Sequence, residues 1–186
     1  MLFDLYHYYE NDIGPFINLS DLTINEAKNI QGRIKKDKKT FAAQRLEDYL
    51  ERRFEFEDIA REKFVNKGGE PIRERPHYMV VEPCDWLKSW YTNGKFIKLS
   101  VREFDPKIIS FTYGDMFPTF GKASTDGKEY RKQVYTYSEI IKVIDKYGLP
   151  QVWNNDGRFG PERYIEAQVW SNEPIKKYLH GENEGV

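Results

Sequence analysis

Apolar and polar positions alternate at the start of the chain. In LFDLYHYY (2–9), Leu2, Asp4 and Tyr6 stand against Phe3, Leu5 and His7, the period of a strand. GPFINLSDL (14–22) reads as a loop or a short extended piece. Thr23 and Glu26 then form a T-x-x-E capping box, which predicts a helix with Ile24, Ala27, Ile30 and Ile34 on one face. KKDKK (35–39) reads as a solvated charge run. Residues 41–66 carry the strongest helical period: Ala42, Leu46, Tyr49, Leu50, Arg53, Phe56, Ala60 and Phe64 recur at spacings of three and four. Asp48–Arg52 and Glu57–Arg61 add acid-first charge pairs four apart, and Gly68-Gly69 with Pro71 end the helix. At 1.5 Å per residue it would run about 39 Å. That exceeds the width of a small sheet, so one end is expected to project or to pack on a second copy.

After Pro76 the period shortens. Residues 77–82, 95–101, 108–113, 133–137 and 163–170 read as strands. Asp85 caps a helical turn over 86–91, and Ser138 caps a helix near 139–147 that Gly148 and Pro150 stop. Residues 114–132 and 151–161 read as loops, PIKKYL as a terminal turn, and 181–186 as a frayed tail. Strands in succession with few helices between them predict an α+β fold in one domain, 1–186, with a mixed or antiparallel sheet.

Composition narrows the function. Thirteen Tyr, twelve Phe and four Trp supply a substantial core. The 29 basic residues are balanced by 30 acidic ones, so nonspecific nucleic-acid binding is not expected. A single Cys excludes an internal disulfide and a Cys-rich zinc site. No apolar run approaches the roughly 20 residues of a membrane span, and the N-terminus lacks the basic and apolar regions of a signal peptide. A soluble, cytoplasmic protein without a membrane partner is the expectation. No dinucleotide or P-loop glycine motif, nucleophile elbow or H-E-x-x-H pairing occurs, so no metal site is predicted.

Three His remain. His180 lies in the tail, and His7 and His77 sit in strands, where the ordinary role is a buried ring bonded to a carbonyl. Cys84 lacks a cationic setting and reads as a small hydrophobe or surface thiol. RYIEAQVW is more informative. Ile165, Ala167 and Val169 face one way; Tyr164, Glu166, Gln168 and Trp170 face the other. The second face is either plain exposed sheet or a platform where rings stack on a flat ligand and Glu166 accepts hydrogen bonds from hydroxyls. SFTYGD (110–115) can likewise line a cleft with hydroxyls, or form a buried strand and its turn.

Strings such as HYM…W…WY, SFTY-x-D, VYT…KYGLP and YIEAQVW resemble a set of small bacterial proteins without an established activity, over most of the chain after about residue 70. LYHYYEN at the start, then SEIIKVIDKYGLP, VWNNDG and YIEAQVW, also resemble the ADP-ribosyltransferase-like fold of DarT-type DNA-targeting toxins and RNA 2′-phosphotransferases. That resemblance implies NAD as cofactor, with Glu166 bridging a ribose hydroxyl and His7 orienting the dinucleotide. It further implies Tyr78 or Tyr113 stacked on nicotinamide, Arg75 as the basic residue before a strand, and Tyr164 beside Glu166. Tyr164 departs from the Gln or Glu many members carry there, and a shifted register would put Gln168 at the catalytic position. Three functions are therefore expected alternatives: an NAD-dependent transferase, a non-enzymatic module for a small ligand or protein, and a homo-oligomer joined through the 41–66 helix. Convergence of Glu166, His7 and Tyr78 on one site would favour the first.

Overall fold

The computed structural model describes residues 2–37 and 48–179. Five strands form one sheet in the order β3-β1-β2-β5-β4: β1 Asp4–Glu10, β2 His77–Val81, β3 Gly94–Ser100, β4 Ile109–Tyr113 and β5 Ile165–Val169. Every pairing between these strands is antiparallel, so the fold is α+β. The helices are α1 Ile24–Asp37, α2 Tyr49–Val65, α3 Asp85–Lys88, α4 Met116–Phe120, α5 Tyr137–Tyr147, α6 Pro150–Trp153 and α7 Lys176–Leu179. None is long and apolar enough to cross a membrane, among the described residues.

Register assigns the two faces of the sheet. Leu5 pairs with Val81 and Leu99, and Ala167 with Phe111 and Met79, so these side chains share one face. They join Phe3, Ile109, Ile165, Val169, Ile140 and Ile144 in the main core, under α5. Tyr6, Val80, Glu166 and Thr112 are cross-strand neighbours on the other face. There α2 and α4 cover the sheet, with Phe56, Ala60, Phe64, Met116 and Trp170 in a second apolar cluster. β5 lies between β2 and β4 and is buried on both faces, so the exposed-sheet reading of Glu166 and Gln168 does not hold.

The first capping box forms as expected: the Glu26 carboxylate accepts the Thr23 N–H at 3.0 Å. Helix α2 ends where predicted, with the Gly69 N–H donating to the Phe64 carbonyl and Gly68 at φ +86°. Its buried side is Leu50, Phe56, Glu57, Ala60 and Phe64, within one chain. Residues 41–47, including Leu46, lie outside the described residues.

Four expectations are corrected. Residues 133–137 are not a strand. Tyr135 makes one isolated bridge, its N–H and carbonyl exchanging bonds with Phe111, before the chain turns into α5. The cap of α5 is Thr136, not Ser138, because Glu139 reaches back to the Thr136 N–H at 2.9 Å and completes a capping box. The 114–132 segment holds α4 and a 3-10 turn over Lys122–Thr125, since Asp115 caps the Phe117 N–H at 2.8 Å. Pro150, expected only to stop α5, opens α6 as its first residue.

Phe64 is fully buried in the second apolar cluster, with Met116, Val134 and Trp170. Phe64→Ala is expected to lower stability by about 3–5 kcal/mol in denaturant melts. A loss below about 1 kcal/mol would show that this end of α2 does not clamp the sheet.

Candidate functional site

A cavity of about 500 Å³ opens on the second face of the sheet. Its walls come from strand residues Tyr6, Tyr8, Tyr78, Val80 and Glu166, from Tyr164 just before β5, and from the first turns of α2 at Tyr49, Arg52 and Arg53. Asp115, Met116 and Phe117 at the start of α4, and Trp90 and Tyr91 after α3, also line it. Aromatic rings dominate these walls, as in many sites that take flat ligands.

The cavity exists because β1 and β2 separate. Their ladder stops at the Tyr6–Val80 pair. Beyond it, His7 stands in for the missing backbone pairing. The Phe16 N–H donates to His7 Nε2 at 2.8 Å, which leaves Nδ1 as the protonated nitrogen donating to the Tyr78 carbonyl at 2.9 Å. Phe16 stacks on the imidazole at 3.9 Å between centroids and holds a left-handed φ of +56°, a costly backbone for a non-glycine residue. Asn18 completes the insertion by donating to the Pro76 carbonyl at 2.9 Å.

This arrangement changes the role of His7. Two residues on from Leu5, it shares the main-core face, opposite Glu166. Burial pushes its pKa down to about 4, and both ring nitrogens are engaged by backbone. It borders the cavity as a neutral structural ring, not as a donor to a ribose. Tyr113 is not at the cavity. It points into the main core, where its hydroxyl donates to the Gly148 carbonyl at 2.8 Å. Arg75 is also elsewhere, donating to the Phe54 carbonyl at 2.9 Å and to Asp58 at 2.7 Å. Tyr78, Tyr164 and Glu166 do converge on the cavity. His77 bonds Asn172 at 2.9 Å, and Cys84 is buried, its thiol pushed up by that burial.

Glu166 is 8% exposed. Gln168 Nε2 donates to its Oε1 at 3.1 Å. The amide is itself oriented by a chain of buried donors. Trp170 Nε1 donates to Ser110 Oγ, Ser110 donates to Gln168 Oε1, and Gln168 Nε2 also reaches Thr112. The Ser110 and Thr112 hydroxyls of SFTYGD therefore fix Gln168 and do not line a cleft. Burial first, then the nearby Asp115 charge, raises the Glu166 pKa well above the ordinary carboxyl range, against the opposing pull of Gln168 and Arg53.

Residues that the sequence reading did not assign complete the site. Glu57 is fully buried beneath the cavity wall. It does not pair with Arg61, whose guanidinium goes to the Pro71 and Arg73 carbonyls. It accepts instead from Ser20 at 2.6 Å, from Arg53 Nε at 3.0 Å and from the Tyr78 hydroxyl. Arg53 also donates to Tyr49 and Asn18, and its guanidinium lies 4.7 Å from the Tyr78 ring centroid. Two signals were present in the sequence: a charged pair four apart within the apolar stripe of α2, and an Asp directly after the β4 turn. Arg52 and Asp48 form no ion pair; the Arg52 guanidinium stacks on Phe56 and Phe117 instead.

Comparison of the chain with protein-family models, curated proteins and solved structures finds no match. Among the described residues no group of His, Cys, Asp and Glu is arranged to hold a metal ion.

Two pH effects follow, with opposite signs. The folded state holds the Glu166 proton more tightly than the unfolded chain, so this group makes stability fall as pH rises above its unfolded value. The slope is at most about 1.4 kcal/mol per pH unit. Glu166→Gln removes that slope, so its melting temperature should gain on the wild type as pH rises above the ordinary carboxyl range. A constant difference would show that Glu166 is ionised in the fold. His7 is depressed, so its contribution is present above the unfolded value and lost as pH falls toward 4. An NMR titration of the His7 ring should show it neutral at pH 6; a midpoint above 6 would contradict the two backbone bonds.

Proposed function

We propose that the cavity is an NAD site and that the protein is an ADP-ribosyltransferase-like enzyme acting at the nicotinamide–ribose bond, with Glu166 as the catalytic carboxyl. The observation that carries this reading is a single buried carboxyl, Glu166, set between Tyr78 and Tyr164 in an aromatic cavity of about 500 Å³. A pyridinium ring entering such walls gains cation–π attraction from the tyrosines. Its positive charge also favours ionisation of Glu166, offsetting the effect of Asp115.

The ionised carboxyl would then lie where charge develops. As the C1′–N bond breaks, its electron pair leaves with neutral nicotinamide, and positive charge builds on the ribose. Glu166, itself almost fully buried, stabilises that charge where it is screened less than in bulk water. An acceptor hydroxyl or water would add to C1′, its proton passing to the Glu166 carboxylate. Gln168 holds Glu166 through Oε1 and acts as a positioning residue.

A second reading, a non-enzymatic module for a small flat ligand, is favoured by His7. The resemblance assigns it to the dinucleotide, yet both of its nitrogens are engaged by backbone. The two readings separate on turnover.

Calorimetry with millimolar NAD should show saturable binding by the full chain. Affinity should rise with pH, because NAD binding ejects the Glu166 proton. Glu166→Gln should abolish release of nicotinamide, by 100-fold or more, without loss of fold. Binding without nicotinamide release would support the module, and absence of binding would remove NAD altogether.

A further inference from the structure

Two arginines line the cavity, and they differ in what they do. Arg53 donates from each of its three nitrogens, to Glu57, Tyr49 and Asn18. Arg52, one residue earlier on α2, is half-buried and makes no ion pair or side-chain hydrogen bond among the described residues. Its guanidinium lies 5.3 Å from the Phe56 centroid and 5.4 Å from that of Phe117. Gly121 lets it pack there, since a Cβ at that position would come within 2.6 Å of Arg52 Nη2. Rings and a glycine thus shape a place for the guanidinium while leaving its N–H groups without an acceptor among the described residues. A half-desolvated cation in that condition is stabilised by an incoming anion, and a guanidinium fork suits phosphate oxygens.

At the carboxyl of the same cavity the need is the reverse. Glu166 Oε1 takes the Gln168 N–H, and Oε2 takes no hydrogen bond among the described residues. The cavity therefore presents an acidic group and a basic group, both without full partners, inside aromatic walls.

We infer that Arg52 is the phosphate-binding residue of this cavity, so that the ligand is dipolar: a cationic aromatic ring taken by the tyrosines and Glu166, and a phosphate taken by Arg52. The inference rests on the cavity being the ligand site proposed above, and it adds the residue that decides between ligands with and without phosphate.

The test measures affinity of the full chain, by calorimetry, for three probes: nicotinamide mononucleotide, nicotinamide riboside and AMP. The first carries ring charge and phosphate, the second only ring charge, the third only phosphate. The mononucleotide should bind at least ten-fold more tightly than the riboside. Arg52→Met should close that gap, and Arg52→Lys, which keeps the charge, should retain part of it. Melting temperatures of both variants control for folding; if the Met variant unfolds, the partial gap in the Lys variant carries the comparison. Equal affinities in the wild type, or a gap that survives Arg52→Met, would overturn the role of Arg52 while leaving an NAD site in place. AMP binding that depends on Arg52, with neither pyridinium bound, would keep Arg52 and overturn the cationic half. Failure of all three probes would overturn both the inference and the NAD reading.

Discussion

A buried carboxylate, Glu57, holds the second face of this fold together. A charge removed from water costs several kcal/mol unless donors surround it. Glu57 draws those donors from three separate parts of the chain: Ser20 in the turn before α1, Arg53 one turn earlier on α2, and Tyr78 on β2. Arg75 adds a charge 3.6 Å away. Three donors meeting on Glu57 Oε1 thereby tie α2 to β2 and to the turn before α1. The aromatic rings of α2 and α4 are placed by the same contact, and the cavity is what remains between them and the sheet.

The sheet contributes its own opening. A continuous β1–β2 ladder would leave no room at Tyr78, but the ladder stops after Tyr6 and an imidazole takes over its hydrogen bonds. This requires a neutral His7, which burial secures, and it requires Phe16 in a strained backbone, which the His7 bond and the stacking hold in place. Side chains here bond the Phe16 N–H and the Tyr78 and Pro76 carbonyls that the strand pair leaves unpaired, while the opening admits a ligand-sized space.

Across the cavity, polar groups are graded by how completely they are bonded. Ser110, Gln168 and Trp170 form a closed chain, while Glu57 takes its three donors on Oε1 and keeps Oε2 buried without a hydrogen bond among the described residues, 3.6 Å from Arg75. Such networks are rigid, because breaking any bond leaves a buried group unmet. Glu166 and Arg52 sit at the edges of these networks with hydrogen-bonding capacity left over. Because both also line the cavity, they are the groups proposed to meet a ligand.

Local patterning was enough for the sequence to determine much of the fold. The α+β class, the approximate positions of all five sheet strands, the Thr23–Glu26 cap and the glycine stop after α2 depend on neighbours within a few residues. Residues 133–137 show the limit: their β-forming composition is real, but only one pair finds a partner, and partners are set by the sheet. Glu166 and Tyr78 were also legible as candidates, because period-two alternation alone puts Glu166 between aromatic positions. What the tertiary structure decided was everything that depends on burial and on distant partners. Glu57 reads as a surface charge paired with Arg61 until Ser20 and Tyr78 close over it. His7 reads as a ligand residue until a strand separation 71 residues away in sequence engages its ring. Arg75 and Tyr113 carry suitable chemistry but face other neighbours. Charge and hydrogen-bonding groups take their meaning from which of them are left unmatched, and that is a property of the packed chain.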